Sequence, residues 1–252
     1  MQPRYKHAVR ALLASILLLA CLHVEAQLAR ITVRANEPGH SVSPMLWGIF
    51  FEDINHSADG GIYPELVRNR SFEDSMQPEH WTVVREQDVA SEASIDTRHP
   101  LNPFNRKSLR IRLEGRACIV NEGYWGMNIV AGERYNLRFA ARADGFSGPV
   151  HVLIDANGKE TARATFSGIT SQWKWFSAEL KAESSHPKGK LKIIAEGTGT
   201  LWLDMVSLMP ERTWKNHGLR ADLCELLDDL KPSFMRFPGG CWVEGDDLAH
   251  MY

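Results

Sequence analysis

The chain changes texture twice, and those two changes restrict its fold more than any other feature. Between about Ser71 and Pro210, short β-type runs recur with turn signals between them and no convincing helical period. Arg134 to Arg142 alternates clearly, with Tyr135, Leu137 and Phe139 set against Arg134, Asn136 and Arg138. Similar runs stand at 108–113, 150–155, 173–180, 189–195 and 201–208, and Asp155-Ala156-Asn157-Gly158 has the composition of a hairpin turn. Many short strands at this spacing predict an antiparallel β-sandwich of roughly 140 residues.

The flanks read differently. The core of Gly48 to Ile54 is a continuous apolar run, as expected of a strand buried on both faces, and it ends in Glu52 and Asp53. Asn55 to Gly61 reads as a flexible polar loop, and 61–70 as a helical turn or two. Leu28 to Val33 reads as a short strand. Beyond Pro210, Leu219, Leu223, Leu226, Leu227 and Leu230 mark one apolar helix face, stopped by Lys231-Pro232. Phe234-Met235-Arg236-Phe237 then reads as a second strand, closed by Pro238-Gly239-Gly240. Strand, β-block, helix and strand make one β-α-β unit with a domain inserted into it, an α/β fold combined with an all-β one.

The 252 residues carry a formal charge of −2 and are 44% hydrophobic, which gives no electrostatic case for nucleic acid or an anionic membrane. Residues 1–26 read as a secretory signal: Arg4, Lys6 and Arg10, an apolar run from Ala11 to Val24, and a small-residue cleavage pattern ahead of Gln27. Leu18-Leu19-Ala20-Cys21 also loosely resembles a lipoprotein cleavage site. Either reading exports the protein, free in the periplasm or medium or lipid-anchored through Cys21. The apolar run is too short for a membrane span. Cys118, Cys224 and Cys241 lack metal-type spacing and allow at most one disulfide, so no disulfide framework, metal or cofactor is expected.

Carboxylates and a Pro-Gly-Gly turn at strand exits are where parallel α/β folds build sites. Arg236 inside an apolar strand calls for a carboxylate partner, because a buried guanidinium must be paired. The plainer reading of this stretch is a structural ion pair beside a tight turn.

Gly48-Ile49-Phe50-Phe51-Glu52-Asp53-Ile54-Asn55-His56, with Asp59-Gly60-Gly61-Ile62-Tyr63 and Arg68-Asn69-Arg70-Ser71-Phe72-Glu73, resembles the start of the α-L-arabinofuranosidases of glycoside hydrolase family 51. Arg236-Phe237-Pro238-Gly239-Gly240-Cys241 resembles their second barrel strand and its loop, and the β-rich block resembles the carbohydrate-binding-module-like sandwiches that some members carry. The resemblance implies the start of a (β/α)8 barrel, its first two strands only, interrupted by an antiparallel β-sandwich. Its divisions are a signal over 1–26, an N-terminal strand and first barrel strand over 27–71, the sandwich over 72–210, and a first barrel helix, second strand and loop over 211–252.

It further implies retaining hydrolysis by two glutamates on later strands. A barrel needs roughly 200 residues, more than remain once the signal and the sandwich are set aside. The expectation is therefore an inactive N-terminal fragment with no catalytic residue in this chain. By resemblance Glu52 binds arabinofuranose hydroxyls, Cys241 shapes the sugar pocket, and Arg236 keeps the nucleophilic glutamate ionised. The respective alternatives are an ion pair with a loop arginine, a packing thiol and a structural ion pair. Trp242 and Glu244 line the same loop; His56 is a pocket or loop residue. Trp125 is a candidate glycan platform, whereas Trp173, Trp175 and Trp202 read as core or strand-pair aromatics. The implied partner is an arabinose-containing plant polysaccharide or oligosaccharide, with homo-oligomers as a family habit. The competing reading is an exported glycan-binding protein without chemistry.

Overall fold

The structure, a computed structural model, describes residues 29–37, 39–84 and 91–240. The chain forms two compact units, Met1–Ser43 and Pro44–Tyr252. The described part of the first has no regular element, and Arg34 Nη1 donates to Glu37 Oε2 across a turn at 3.2 Å. The strand expected over 28–33 is absent from its described residues. Ile31 and Val33 are exposed, and alternation without a neighbouring strand leaves the backbone groups nothing to pair with.

The second unit contains strands β1 (Ile49–Phe50), β2 (Trp81–Val84), β3 (Glu92–Asp96), β4 (Ser108–Asn121), β5 (Met127–Ile129), β6 (Arg134–Asp144), β7 (Val150–Ala156), β8 (Lys159–Phe166), β9 (Lys174–Lys181), β10 (His186–Pro210) and β11 (Met235–Arg236), with helix α1 at Ala221–Asp229. Strands β2 to β10 are hydrogen-bonded into one antiparallel sheet in the order β2-β4-β10-β6-β9, with β3 on β4, β5 and β7 on β10, and β8 on β7. Their inward residues gather in one core containing Leu109, Ile119, Leu137, Phe139, Ile154, Leu191 and Leu208. Phe139, Phe166 and Phe176 meet there at ring separations of 5.0–5.9 Å.

The runs 189–195 and 201–208 are not two strands but parts of β10, 25 residues long. One side of β10 carries β4 continuously from Leu191 to Leu203. The other side carries β7 up to Ala195 and β6 from Thr200. At the handover Gly199 has φ +120 and packs on the backbone of Gly145, so close that a Cβ would meet the Gly145 carbonyl at 2.5 Å. Only glycine accepts both conditions. The 155–158 turn is the expected hairpin, with Asn157 and Gly158 at φ 58 and 82 and Gly158 N–H donating to Asp155 Oδ1.

Residues 61–73 form no helix. They run across the sheet as turns, because buried side chains claim their backbone groups. The Glu65 carboxylate accepts from the N–H groups of Val67 and Leu208 at 3.0 Å each, from Ser207 Oγ at 2.5 Å and from Arg70 Nη1 at 3.3 Å. Burial nevertheless pushes its carboxyl above the usual range. Leu66 N–H reaches Leu208 O at 3.0 Å, and Val206 N–H reaches Arg70 O at 2.9 Å beside a bulge in β10. Phe72 and Trp81 close over this crossing, with the Trp81 indole N–H on Asn69 O.

Helix α1 falls where the leucine spacing predicts, but Leu226 and Leu230 are exposed and only Cys224 is buried. Cys118 and Cys224 are free thiols. No helix among the described residues is long and apolar enough to cross a membrane.

Candidate functional site

Strands β1 and β11 are parallel neighbours, Ile49 opposite Met235 and Phe50 opposite Arg236. Ile49 N–H donates to Phe234 O and Phe51 N–H to Arg236 O, both at 3.1 Å. The pair is shorter than the sequence run implies, and Trp47, Phe50, Ile54 and Phe237 are exposed rather than buried on both faces. With no further strand beside them among the described residues, these side chains have nothing to pack under.

The turn after β11 is shaped by the end of β1. Gly239 N–H donates to Phe51 O at 2.5 Å, and a Cβ on Gly239 would run into the Phe50 ring. Gly240 has φ +61 and faces the Glu52 carboxylate so closely that a Cβ would overlap it. The two glycines thus make room for Glu52, which stands half-buried where both strands end. A carboxylate so placed can accept two hydroxyl donors at once. Cys241, Trp242 and Glu244 lie outside the described residues.

Arg236 departs from expectation. It is exposed, its guanidinium lies 5.1 Å over the Phe50 ring, and no carboxylate among the described residues pairs with it. A two-residue strand with one neighbour leaves the side chain in solvent, so no buried charge has to be neutralised.

The loop after Glu52, read as flexible from its polarity, is tied at each step. Ser57 Oγ donates to Glu52 O at 2.6 Å and accepts from Ile54 N–H at 3.1 Å. Asp53 Oδ1 accepts from Ala58 N–H at 3.0 Å, an Asx-type link. Ile62 and Tyr63 N–H return to the carbonyls of Ser57 and Ala58. The resulting turn presents His56 to Tyr124 and Trp125, with ring centroids 5.0 and 5.8 Å apart. Trp125 is 67% exposed, which sets it apart from the buried Trp202 and from Trp175, capped by Arg138 at 4.0 Å. Burial, with Asp59 and Glu65 nearby, pushes the Tyr124 phenol up to about 12, so it stays a neutral donor. A cavity of about 280 Å³ opens beside Trp125, lined by Tyr124, Asn128, Glu133, Arg212 and Asp222 among others. The exposed indole was legible in Gly123-Tyr124-Trp125-Gly126; its contact with the Glu52 loop was not, because it joins residues some 70 apart in sequence. Among the described residues no group of three or more His, Cys, Asp and Glu side chains is placed to hold a metal ion.

No protein-family model matches the chain. Curated proteins do, among them α-L-arabinofuranosidase 1 of Arabidopsis thaliana, 34% identical over 86% of this chain, and an extracellular exo-α-L-arabinofuranosidase of Streptomyces chartreusis, 37% identical over 95%. An arabinose-bound GH51 α-L-arabinofuranosidase superposes with a TM-score of 0.74 at 31% identity over 86% of the chain. The chain is related to the family 51 α-L-arabinofuranosidases. It spans about a third of the length of these relatives: 34% and 30% of the curated two, and 38% of the solved structure. The described fold is thus similar to the N-terminal region of a family 51 arabinofuranosidase.

Proposed function

We propose that the chain is the sugar-holding part of an exported, retaining α-L-arabinofuranosidase that releases terminal arabinofuranose from plant polysaccharide side chains. The observation that carries this reading is the Glu52 carboxylate, given its space by Gly240 at the common exit of two parallel strands. Glu52 accepts hydrogen bonds from ring hydroxyls, which fixes a small furanose with one group. By the family resemblance we assign Cys241, Trp242 and Glu244 to the same sugar site, and Arg236 to keeping the nucleophile of the full enzyme ionised. Retaining hydrolysis needs an acid/base and a nucleophile about 5 Å apart. We assign both glutamates outside these 252 residues, so the chain binds without hydrolysing. The relation to an extracellular arabinofuranosidase and the basic-then-apolar start of the sequence support export.

Hydrolysis of p-nitrophenyl α-L-arabinofuranoside by the 252-residue chain and by the product of its full reading frame tests the assignment. Turnover only by the latter, lost with Glu52→Gln, is the expected result. Turnover by the short chain would move the chemistry onto Glu52 or Glu244. Activity in neither would favour the second reading, a glycan-binding protein, for which the exposed Trp125 speaks.

A further inference from the structure

A second groove lies on the other side of Trp125. It has a volume of about 450 Å³, within the range of small-ligand sites, and is lined by Arg68, His80, Glu122, Trp125, Lys188 and Lys190 among others. One side chain behind the lining braces it. Asn121 is fully buried, its Nδ2 donating to Arg68 O at 2.9 Å and His80 O at 3.1 Å, its Oδ1 accepting from Arg68 N–H at 3.3 Å and Gly123 N–H at 2.9 Å. One amide thereby fixes three separate stretches of the groove wall, with all its hydrogen-bonding capacity used. On the far wall Gly126, at φ +95, packs on Lys188, where a Cβ would lie 2.7 Å from the Lys188 Cα. The groove is a constructed surface rather than a chance gap between loops.

Its charge is one-sided. Among its lining residues Arg68, Lys188 and Lys190 face one carboxylate, Glu122, which is bonded to Lys190 at 2.5 Å, while Asp74 and Glu79 act on His80 from behind the lining. Burial and the nearby Arg68 lower the His80 imidazole, so at neutral pH it joins as an uncharged donor or acceptor. Trp125 gives the rim an exposed apolar face of the size of a sugar ring. An indole beside several cations suits neither a neutral glycan nor a bare anion. It suits a sugar ring that carries a carboxylate, the ring stacking on the indole and the carboxylate answering the cations. Trp125 also touches His56, on the loop that leaves Glu52, so the rim of the groove adjoins that loop.

We propose that this groove binds uronate residues of an acidic polysaccharide and so selects arabinose-bearing chains that carry carboxylates. The substrate preference rests on the arabinofuranosidase reading, whereas the uronate contact does not. The test therefore uses an arabinose-free xylooligosaccharide bearing one glucuronate, compared by calorimetry with the same compound after its carboxyl is reduced to an alcohol. On the unaltered chain the uronate form is expected to bind about tenfold more tightly, the size of a hydrogen bond to a charged group. That preference should shrink as ionic strength rises. Lys188→Gln with Lys190→Gln should erase it while the far-UV spectrum stays unchanged, and Trp125→Ala should weaken both compounds. Equal affinities, no binding of either compound, a preference that survives the double substitution, or displacement by inorganic phosphate at matched ionic strength would each overturn the proposal. Since neither probe contains arabinose, failure here leaves the Glu52 reading standing, and failure of that reading in the hydrolysis test leaves this one standing.

Discussion

Gly240 leaves room for Glu52 only because it has no side chain, and that makes the pair sensitive to one methyl group. Gly240→Ala adds a Cβ at positive φ, costing about 1–2 kcal/mol, and pushes it into the Glu52 carboxylate. Arabinose affinity measured by calorimetry should drop at least about tenfold; an unchanged affinity would separate Glu52 from the sugar. Two buried aspartates pull the response to pH in opposite directions, and the raised Glu65 carboxyl acts with the second of them. Burial works to raise the Asp96 carboxyl, but hydrogen bonds from His99, from the Trp202 indole at 2.7 Å and from Arg98 N–H outweigh it and hold it at about 2, below the ordinary 3.8. A depressed carboxyl stabilises the fold above its unfolded value, and this contribution, about 2 kcal/mol, should vanish as pH falls from about 4 to 2. Asp204 behaves oppositely. Its Oδ2 is buried without a partner and burial raises the carboxyl from 3.8 to about 7, against one hydrogen bond from Met205 N–H. Stability should therefore decline as pH rises from about 4 to 7, and Asp204→Asn should flatten that limb. Thermal melts of the parent and this variant across pH 2–8 check both signs, and a melting point that climbs between pH 4 and 7 in the parent would contradict the Asp204 assignment.

At the scale of elements, the joint between the turns of 61–73 and β10 depends on Glu65. Glu65→Ala strands the N–H groups of Val67 and Leu208 and the Ser207 hydroxyl in a buried place, and should cost about 3 kcal/mol or more in denaturant unfolding. A loss under about 1 kcal/mol would mean that water takes over those donors. This joint also shows where the sequence stopped being informative. Strands such as β6 were legible because a half-buried strand writes its two faces as alternation, and α1 because its leucines repeat at helical spacing. The two runs within β10 were legible but not their union, since Gly197 and Gly199 look like breakers until partners on both sides hold the strand through them. The helical turn expected over 61–70 does not form because Glu65 and Asn121 tie this stretch to residues far along the chain, and local apolar spacing carries no trace of that. At the site, Glu52 and the Pro-Gly-Gly turn were recognised through a motif, whereas the exposure of Arg236 follows from how few neighbours β11 has. The basic groove joins Arg68, His80, Lys188 and Lys190 from distant stretches, and a near-neutral total charge hides it.

Over the described residues of the second unit, several large apolar side chains are exposed. Trp47, Phe50, Phe234, Phe237, Leu226 and Leu230 are all open to solvent around the two-stranded pair and α1. Exposed apolar side chains of this kind bind hydrophobic dyes and favour association. The chain should enhance anilinonaphthalene sulfonate fluorescence and sediment as concentration-dependent assemblies; a sharp monomer at all concentrations with no dye signal would show that these side chains are covered. The crossing near Glu65 has a further consequence. The stretch leading into the large sheet and the stretch leading out of it are bonded to each other, Leu66 to Leu208, and Arg220 N–H reaches back to Ile62 O at 2.8 Å. The large sheet is thus mounted on a clasp instead of two loose tethers. An engineer who exchanged it for a different β-rich domain at the chain junctions alone would cut the clasp, take away Tyr124 and Trp125 from beside His56, and leave the Glu52 loop without its neighbour. A graft that carries 61–73 and 205–220 along with the new module is the one that would keep its orientation.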